Sequence, residues 1–456
     1  MSMATLTMVA ESVNGTLFGT DRDFDSVCTD TRTIQPGQLF FALRGEHFDA
    51  AEFVAEAERG GAAGAVVERH QPGELPQVQV PDTRRAIGAL AKEWRSRFEI
   101  TVVAVTGSNG KTTVKEMIAS ILRAQAKEAE AVLVTAGNLN NDIGLPLTVL
   151  QLRAGHQAAV LEMGANHPGE IAYLADIAAP DIGVVTNAAT AHLEGFGTIE
   201  TVAETKGELY VGLPTGGVAL INRDDQFFER WRSLCAAAEV YSFGLSEAAD
   251  YRATNIRESA TGDSCELQFD IQSPRGNAPI RIPMAGRHNV INALAATAAA
   301  RAAGASWQAV QDGLASVSNV SGRLRAVQGL SGSLIFDDSY NANPASVRAA
   351  IEFLAARDGE TWLVLGDMAE LGAESSALHR DVGQAARNSG VSRLFCVGEH
   401  SIAAVEAFGE SAEWFQAIEL LADAIKAKLK PGITILVKGS RCMGLEALVQ
   451  ELQDRG

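Results

Sequence analysis

Cysteine, aromatic residues, positive charge and long apolar runs are all scarce in this chain, and each shortage excludes something. Only five of the 456 residues are cysteine (Cys28, Cys235, Cys265, Cys396, Cys442). They are odd in number, scattered, and form no C-x-x-C pair, which argues against a disulfide framework or a cysteine zinc site and predicts free thiols in a reducing compartment. Aromatic residues make up 6% of the chain, and no apolar run approaches the roughly 18 residues that would span a bilayer. The opening MSMATLTMVAESV has no basic residue before Arg22, so a signal peptide is not expected. Lys and Arg number 38 against 56 Asp and Glu, a formal charge of −18. Such a chain is a poor partner for nucleic acid or an anionic membrane, because both are gripped mainly by clustered Lys and Arg. The reading is a cytoplasmic protein, expected to be monomeric, that handles anions only locally.

What is present is an ordinary globular composition, 46% hydrophobic and 21% charged, in a length that suits about three domains at roughly 150 residues each. The expected fold class is α/β. Residues 1–98 mix short strands with turns: QLFFAL after Pro36-Gly37, a helical stretch from Ala50 to about Arg59, and GAVV at Gly64–Val67. No G-x-G-x-x-G occurs there, so a dinucleotide fold is not indicated. Residues 99–318 alternate strands (ITVVAV, AAVLEMG, DIGVVTN) with amphipathic helices and end in an alanine-rich helix from about Asn289 to Ala303, the pattern of a mostly parallel sheet. Residues 319–456 repeat the alternation through LIFDDS, a helix from Pro344 capped by Asn343, WLVLG, a helix near 376–389, RLFCVG, a helix near 413–429, and ITILVKG.

The sharpest chemical signal is Thr106-Gly107-Ser108-Asn109-Gly110-Lys111-Thr112-Thr113, set between a buried strand and an amphipathic helix. Glycines let backbone N–H groups converge on phosphate oxygens, and the helix start adds partial positive charge. Lys111 would bridge the β- and γ-phosphates and Thr112 would ligate Mg²⁺. Val105 stands where the standard G-x-x-x-x-G-K-[ST] pattern wants glycine, and the bland alternative is a Gly-rich turn with a solvent-facing lysine. Glu162 ends an apolar strand, where a carboxylate can hold Mg²⁺. Asn187 and His192 follow in the next loop, and Lys206 lies on a helix. Taken alone, Lys206 reads as a solvated helix lysine, and Arg287-His288-Asn289-Val290-Ile291-Asn292 reads equally well as a polar helix start.

The short loop T-G-x-x-G-K-T resembles that of the Mur ligase family, the ATP-dependent amide ligases that build the peptidoglycan precursor peptide. The resemblance runs along the whole chain. It implies a small uridine-nucleotide-binding domain (1–98), a central P-loop ATPase-like domain with a parallel sheet (99–318), and a C-terminal Rossmann-like domain (319–456) that completes the ATP site and binds the incoming dipeptide. It assigns Thr112 and Glu162 to one Mg²⁺, and His192 with a CO₂-derived carbamate on Lys206 to a second. It also places Asn289 and Asn292 near adenine, Arg323 on phosphate and Asp338 on ribose. Thr31, Arg32 and Gly45, within TDTR…PGQLFFALRG, resemble the family's uridine-binding segment, although Asp49-Ala50-Ala51-Glu52-Phe53 departs from the usual D-G-H-x-F. Asn138, Asn140 and Asn141 in NLNNDIG, with LGDMAELG, DDSYNANPAS and VKGSR, are similar to the branch that adds D-alanyl-D-alanine to UDP-N-acetylmuramoyl-tripeptide. Rival readings are a simple kinase or NTPase that shares only the phosphate loop, and a non-enzymatic ATP-gated scaffold.

Overall fold

The computed structural model describes residues 2–45, 48–190, 193–261, 264–317 and 321–454. Three principal sheets succeed one another along the chain. The first runs Thr16–Phe18, Gln77–Gln79, Gly64–Val67, Gln38–Phe41, Ser26–Cys28, and is parallel except at the Thr16–Phe18 edge. The helical stretch expected from Ala50 begins as a 3-10 turn, Ala50–Phe53, before the helix Val54–Arg59; the Asp49 side chain accepts from the Ala51 N–H and tightens the entry. A further helix, Thr83–Arg95, was not singled out by the sequence patterns. Its buried face (Ile87, Leu90, Trp94) shares one continuous apolar core with Leu145, Leu161, Ile171 and Leu174 of the central segment. Trp94 and Arg95 also donate to the carbonyls of Leu152 and Ala178. The N-terminal segment is therefore seated on the central one, not tethered to it.

The central sheet has nine strands. Seven are parallel, in the order Tyr251–Thr261, Glu239–Gly244, Val218–Asn222, Ile182–Val185, Thr101–Thr106, Ala158–Glu162, Val132–Val134. Thr101–Thr106 sits inside this array with Val102 and Ala104 in one core and Val103 and Val105 in another, which is why the run is continuously apolar between its threonines and not alternating. Beyond Tyr251–Thr261, which joins the array in parallel, Ser264–Ser273 and Gly276–Ile282 extend the edge as an antiparallel meander, an addition the alternation does not announce. The alanine-rich helix His288–Ala302 is as expected, but a second helix, Trp307–Ala315, follows it. Gly313 lets that helix lie against the backbone of Ile121, on the helix Lys111–Ala126, where Ser120 Oγ donates to the Gly313 carbonyl over 2.7 Å.

The third sheet runs Arg325–Gln328, Leu334–Asp338, Ile433–Lys438, Glu360–Gly366, Arg393–Val397, Ala412–Phe415, parallel except for its first strand. Asn343 caps the helix Pro344–Ala355 with a reciprocal bond to Ser346. The helix expected near 413–429 is instead a strand, Ala412–Phe415, followed by the helix Ile418–Lys428. Register with Leu394–Val397 at the sheet edge outweighs helical spacing there. The expected boundary at 318/319 lies outside the described residues.

Candidate active site

The central strands point their carboxyl ends at a crevice between the second and third sheets, the usual location of ligands in open parallel sheets. A cavity of about 1070 Å³ fills it. At its floor, the strand Thr101–Thr106 turns through Gly107 (φ 146°) and Gly110 (φ 82°) into the helix Lys111–Ala126. Gly107 is required on two counts: any side chain there would meet a left-handed backbone and collide with the Thr186 hydroxyl. The loop is braced from the neighbouring strand end. Asn187 accepts from the Ser108 N–H through its carbonyl (2.9 Å) and from the Asn109 N–H through Oδ1 (3.0 Å), while Thr186 Oγ1 donates to the Asn109 carbonyl (2.6 Å). Two loop amides are thus already bound. The donors left for an anion are the first-turn N–H groups of the helix, which have no intrahelical acceptor. Lys111 folds back over the loop, its Nζ donating to the Gly107 carbonyl at 2.7 Å. Burial and nearby Arg323 lower its pKa, and Glu162 opposes that shift.

Glu162, 2% exposed at the end of Ala158–Glu162, accepts from Asn140 Nδ2 (2.8 Å) through Oε1, whereas buried Oε2 has no hydrogen-bond partner. A buried, half-satisfied carboxylate beside a phosphate loop suits a divalent cation. Among the described residues no cluster of three or more His, Cys, Asp or Glu could hold a metal unaided. A cation held here would therefore take most of its ligands from phosphate and water, as Mg²⁺ commonly does. Lys206 is 3% exposed on the helix Ile199–Val211. Burial holds its ammonium well below the ordinary lysine range, and Lys111 pushes it the same way. Solvated it is not. His192, the other expected ligand of a second ion, lies outside the described residues.

The wall opposite comes from the third sheet. Arg323 Nη2 donates to Thr112 Oγ1 over 3.1 Å, its guanidinium lies 4.5 Å from the Tyr340 ring centroid, and its buried Nε has no partner. Asn343 Nδ2 donates to Asn109 Oδ1 over 2.7 Å. The third sheet thus touches the phosphate loop at two points. Asp338 lines the cavity but is paired with buried Lys438, whose Nζ lies 2.6 Å from its Oδ2 and also donates to the Asn341 carbonyl. Asn289 and Asn292, both buried, are bonded to each other (2.9 Å) at the start of His288–Ala302. Burial lowers the pKa of the adjacent His288, with Asp338 opposing.

Of the residues expected at the site, Ser108 to Thr113, Asn140, Asn141, Glu162, Lys206, Asn289, Asn292, Arg323 and Asp338 line this one cavity. Gly107 acts beneath it, and Asn138 is not part of its lining. Asn141 lines it while its Oδ1 caps the helix Gly144–Val149 by accepting from the Gly144 N–H. Thr31, Arg32 and Gly45 are elsewhere. Arg32 is exposed and bound by Asp30, which draws the Asp30 carboxyl down to about 2. Asn343, Tyr340 and Lys438, which the sequence places in DDSYNANPAS and VKGSR without a role of their own beyond the Asn343 cap, line the cavity, as does Arg84, which no motif marks.

Phosphate loop, buried acceptor carboxylate and an arginine brought in from a second α/β sheet define an ATP-using ligase architecture, and comparison with known proteins agrees. The Mur ligase middle domain matches residues 105–300 and the Mur ligase, glutamate ligase domain matches residues 322–441. The chain belongs to the Mur ligase family. It is 44% identical over 459 residues to the UDP-N-acetylmuramoyl-tripeptide--D-alanyl-D-alanine ligase of Escherichia coli (strain K12), covering 100% of both chains. The crystal structure of MurF from Acinetobacter baumannii superimposes with a TM-score of 0.91 at 36% identity over 98% of each chain. A second structure from that organism, titled UDP-N-acetylmuramoylalanyl-D-glutamyl-2,6-diaminopimelate--D-alanyl-D-alanyl ligase, gives 0.85 at 36% identity, covering 98% of this chain and 97% of that one.

Proposed function

We propose that this protein joins D-alanyl-D-alanine to UDP-N-acetylmuramoyl-tripeptide, consuming ATP and passing through an acyl phosphate. The observation that carries the reading is the contact of Arg323 with Thr112, which brings a cation from the segment leading into the third sheet onto the phosphate loop. The terminal carboxylate of the tripeptide attacks the γ-phosphorus, a P–O bond to ADP breaks, and the acyl phosphate forms. The amine of D-alanyl-D-alanine then attacks that carbonyl, phosphate leaves, and the nitrogen loses a proton as the amide forms. Lys111, Arg323 and the helix N-terminus hold the transferred phosphoryl group, so their contribution is positioning and charge neutralisation. Closure of the third sheet over the loop keeps water from the labile intermediate.

Thr112 and Glu162 would hold Mg²⁺, which when bound supplies charge neutralisation for the phosphates. Lys206, buried and driven toward its neutral form, is suited to add CO₂: a C–N bond forms, a proton leaves to solvent, and an anionic carbamate results. That carbamate, with His192, would serve a second ion. Residues 1–98 are assigned to the uridine nucleotide, through Thr31, Arg32 and Gly45, residues 99–318 to ATP, and residues 319–456 to the dipeptide. The test is phosphate release measured with each substrate omitted in turn. Release is expected only with tripeptide nucleotide and D-alanyl-D-alanine together, and Lys111→Ala should lower it by about 10²–10³-fold with the fold intact. Release with ATP alone, or binding of ATP without turnover, would reject the reading.

A further inference from the structure

The N-terminal segment reaches the cavity through one charged side chain. Arg84, in the first turn of Thr83–Arg95, lines the cavity and lies 3.1 Å from Asp142, which lines it too. Asp142 follows Asn140 and Asn141, and Asn140 is the residue bonded to Glu162. Two residues of chain span at most about 7 Å. An acidic and a basic group thus stand side by side on the cavity wall, at the end of the loop that begins at the Glu162-bonded Asn140. Both side chains are partly solvent-exposed, at 46% and 39%, and such an ion pair is weak and opens readily. It has no structural duty comparable to that of the shared core beneath it.

We infer that Arg84 and Asp142 read the far end of the acceptor's third residue, and that the group they fit is an α-amino carboxylate, the zwitterionic end of a diaminopimelate-type side chain. The inference rests on the ligase reading above. With the activated carboxylate near Glu162, that side chain extends along the Asn140–Asp142 loop toward the pair. A zwitterion presents a carboxylate to the planar guanidinium of Arg84 and an ammonium to Asp142, exchanging one internal pair for two charge-assisted contacts. A lysine side chain presents only an ammonium. It can meet Asp142 but leaves Arg84 facing a like charge with no anion to bind. The preference is therefore for the dicarboxylic diamino acid, by an attractive contact for one substrate and a repulsive one for the other.

The experiment compares kcat/KM for the diaminopimelate- and lysine-containing UDP-N-acetylmuramoyl-tripeptides, with ATP and D-alanyl-D-alanine saturating. Wild type should favour the diaminopimelate substrate by about tenfold or more. Arg84→Ala should erase most of that ratio through KM, and Arg84→Glu should invert it. Among the described residues Arg84 bonds to partly exposed Asp142, so both variants are expected to fold, which circular dichroism checks. Equal use of the two substrates by wild type, or an equal loss on both in Arg84→Ala, would overturn the inference while leaving the ligase reading intact. No turnover of either substrate by wild type would instead overturn the ligase reading, and this inference with it.

Discussion

Lys206 is the residue whose meaning changed most between sequence and structure. On a helix, among AETKGEL, nothing distinguishes it from a solvated lysine; only its 3% exposure and the neighbouring Lys111 make it exceptional. A lysine buried that deeply is held toward its neutral, nucleophilic form. Lys206→Ala should therefore lower turnover by about a hundredfold, and formate or acetate at high concentration should restore part of it by replacing the lost carbamate charge. Full activity in the variant, or none regained with either anion, would remove the carbamate from the mechanism. Glu162 behaves differently. Its place at the end of an apolar strand already marked it, and the structure adds the partnerless Oε2.

At the scale of elements, the segment Gly366–Leu371 shows what pattern reading cannot supply. Its Ala369 and Glu370 line the cavity, and it is held from three sides. His379 Nε2 accepts from the Met368 N–H (2.9 Å) while its Nδ1 faces the Ser375 carbonyl (2.7 Å), Ser440 Oγ accepts from the Ala369 N–H, and the Asp367 carboxylate accepts from the Ser401 N–H. Burial lowers the pKa of His379, so it stays neutral with Nε2 as an acceptor. The unfolded chain takes up a proton near pH 6.5, the folded one only at lower pH, so stability is lost as pH falls below about 6.5. His288, also lowered, contributes in the same direction. His379→Gln should cost about 1–2 kcal/mol at pH 7 and give a shallower fall in unfolding free energy between pH 7 and pH 5 than wild type. An equal fall in unfolding free energy from pH 7 to pH 5 in variant and wild type, measured by urea titration at each pH, would contradict it. Helix Lys111–Ala126, by contrast, was readable, because its apolar spacing and the preceding glycines sit within one short stretch of sequence. The strand at Ala412–Phe415 was not, because an edge strand is decided by the partner beside it.

On the scale of the whole molecule, the cavity exists because three sheets meet. The first is fixed to the second by a shared core that includes Ile87, Leu90 and Trp94, while the third reaches the phosphate loop through Arg323 and Asn343. Those two polar contacts belong to a wider seam that also includes Cys265 and Ala285 in the third sheet's apolar cluster and the Arg357–Glu258 ion pair. Replacing Asn343 by Asp keeps an acceptor for the Ser346 cap but removes the amide that donates to Asn109. Combined with Arg323→Ala, it should enlarge the radius of gyration in small-angle scattering relative to wild type. Identical profiles for variant and wild type would show that other contacts hold the third sheet in place. The net charge of −18 is compatible with three anionic substrates because cations converge on the site: Lys111, Arg323, Lys438 and Arg84 all line one crevice. By itself the sequence determined the α/β class, the phosphate loop, the strand-end carboxylate and the family, since each is written in a contiguous run whose spacing dictates local geometry. Tertiary structure alone decided that Lys206 is buried, that Asn343 and Arg323 bridge two sheets, and that Arg84 faces Asp142. Those facts depend on residues far apart in the chain, which only packing brings within a few ångströms.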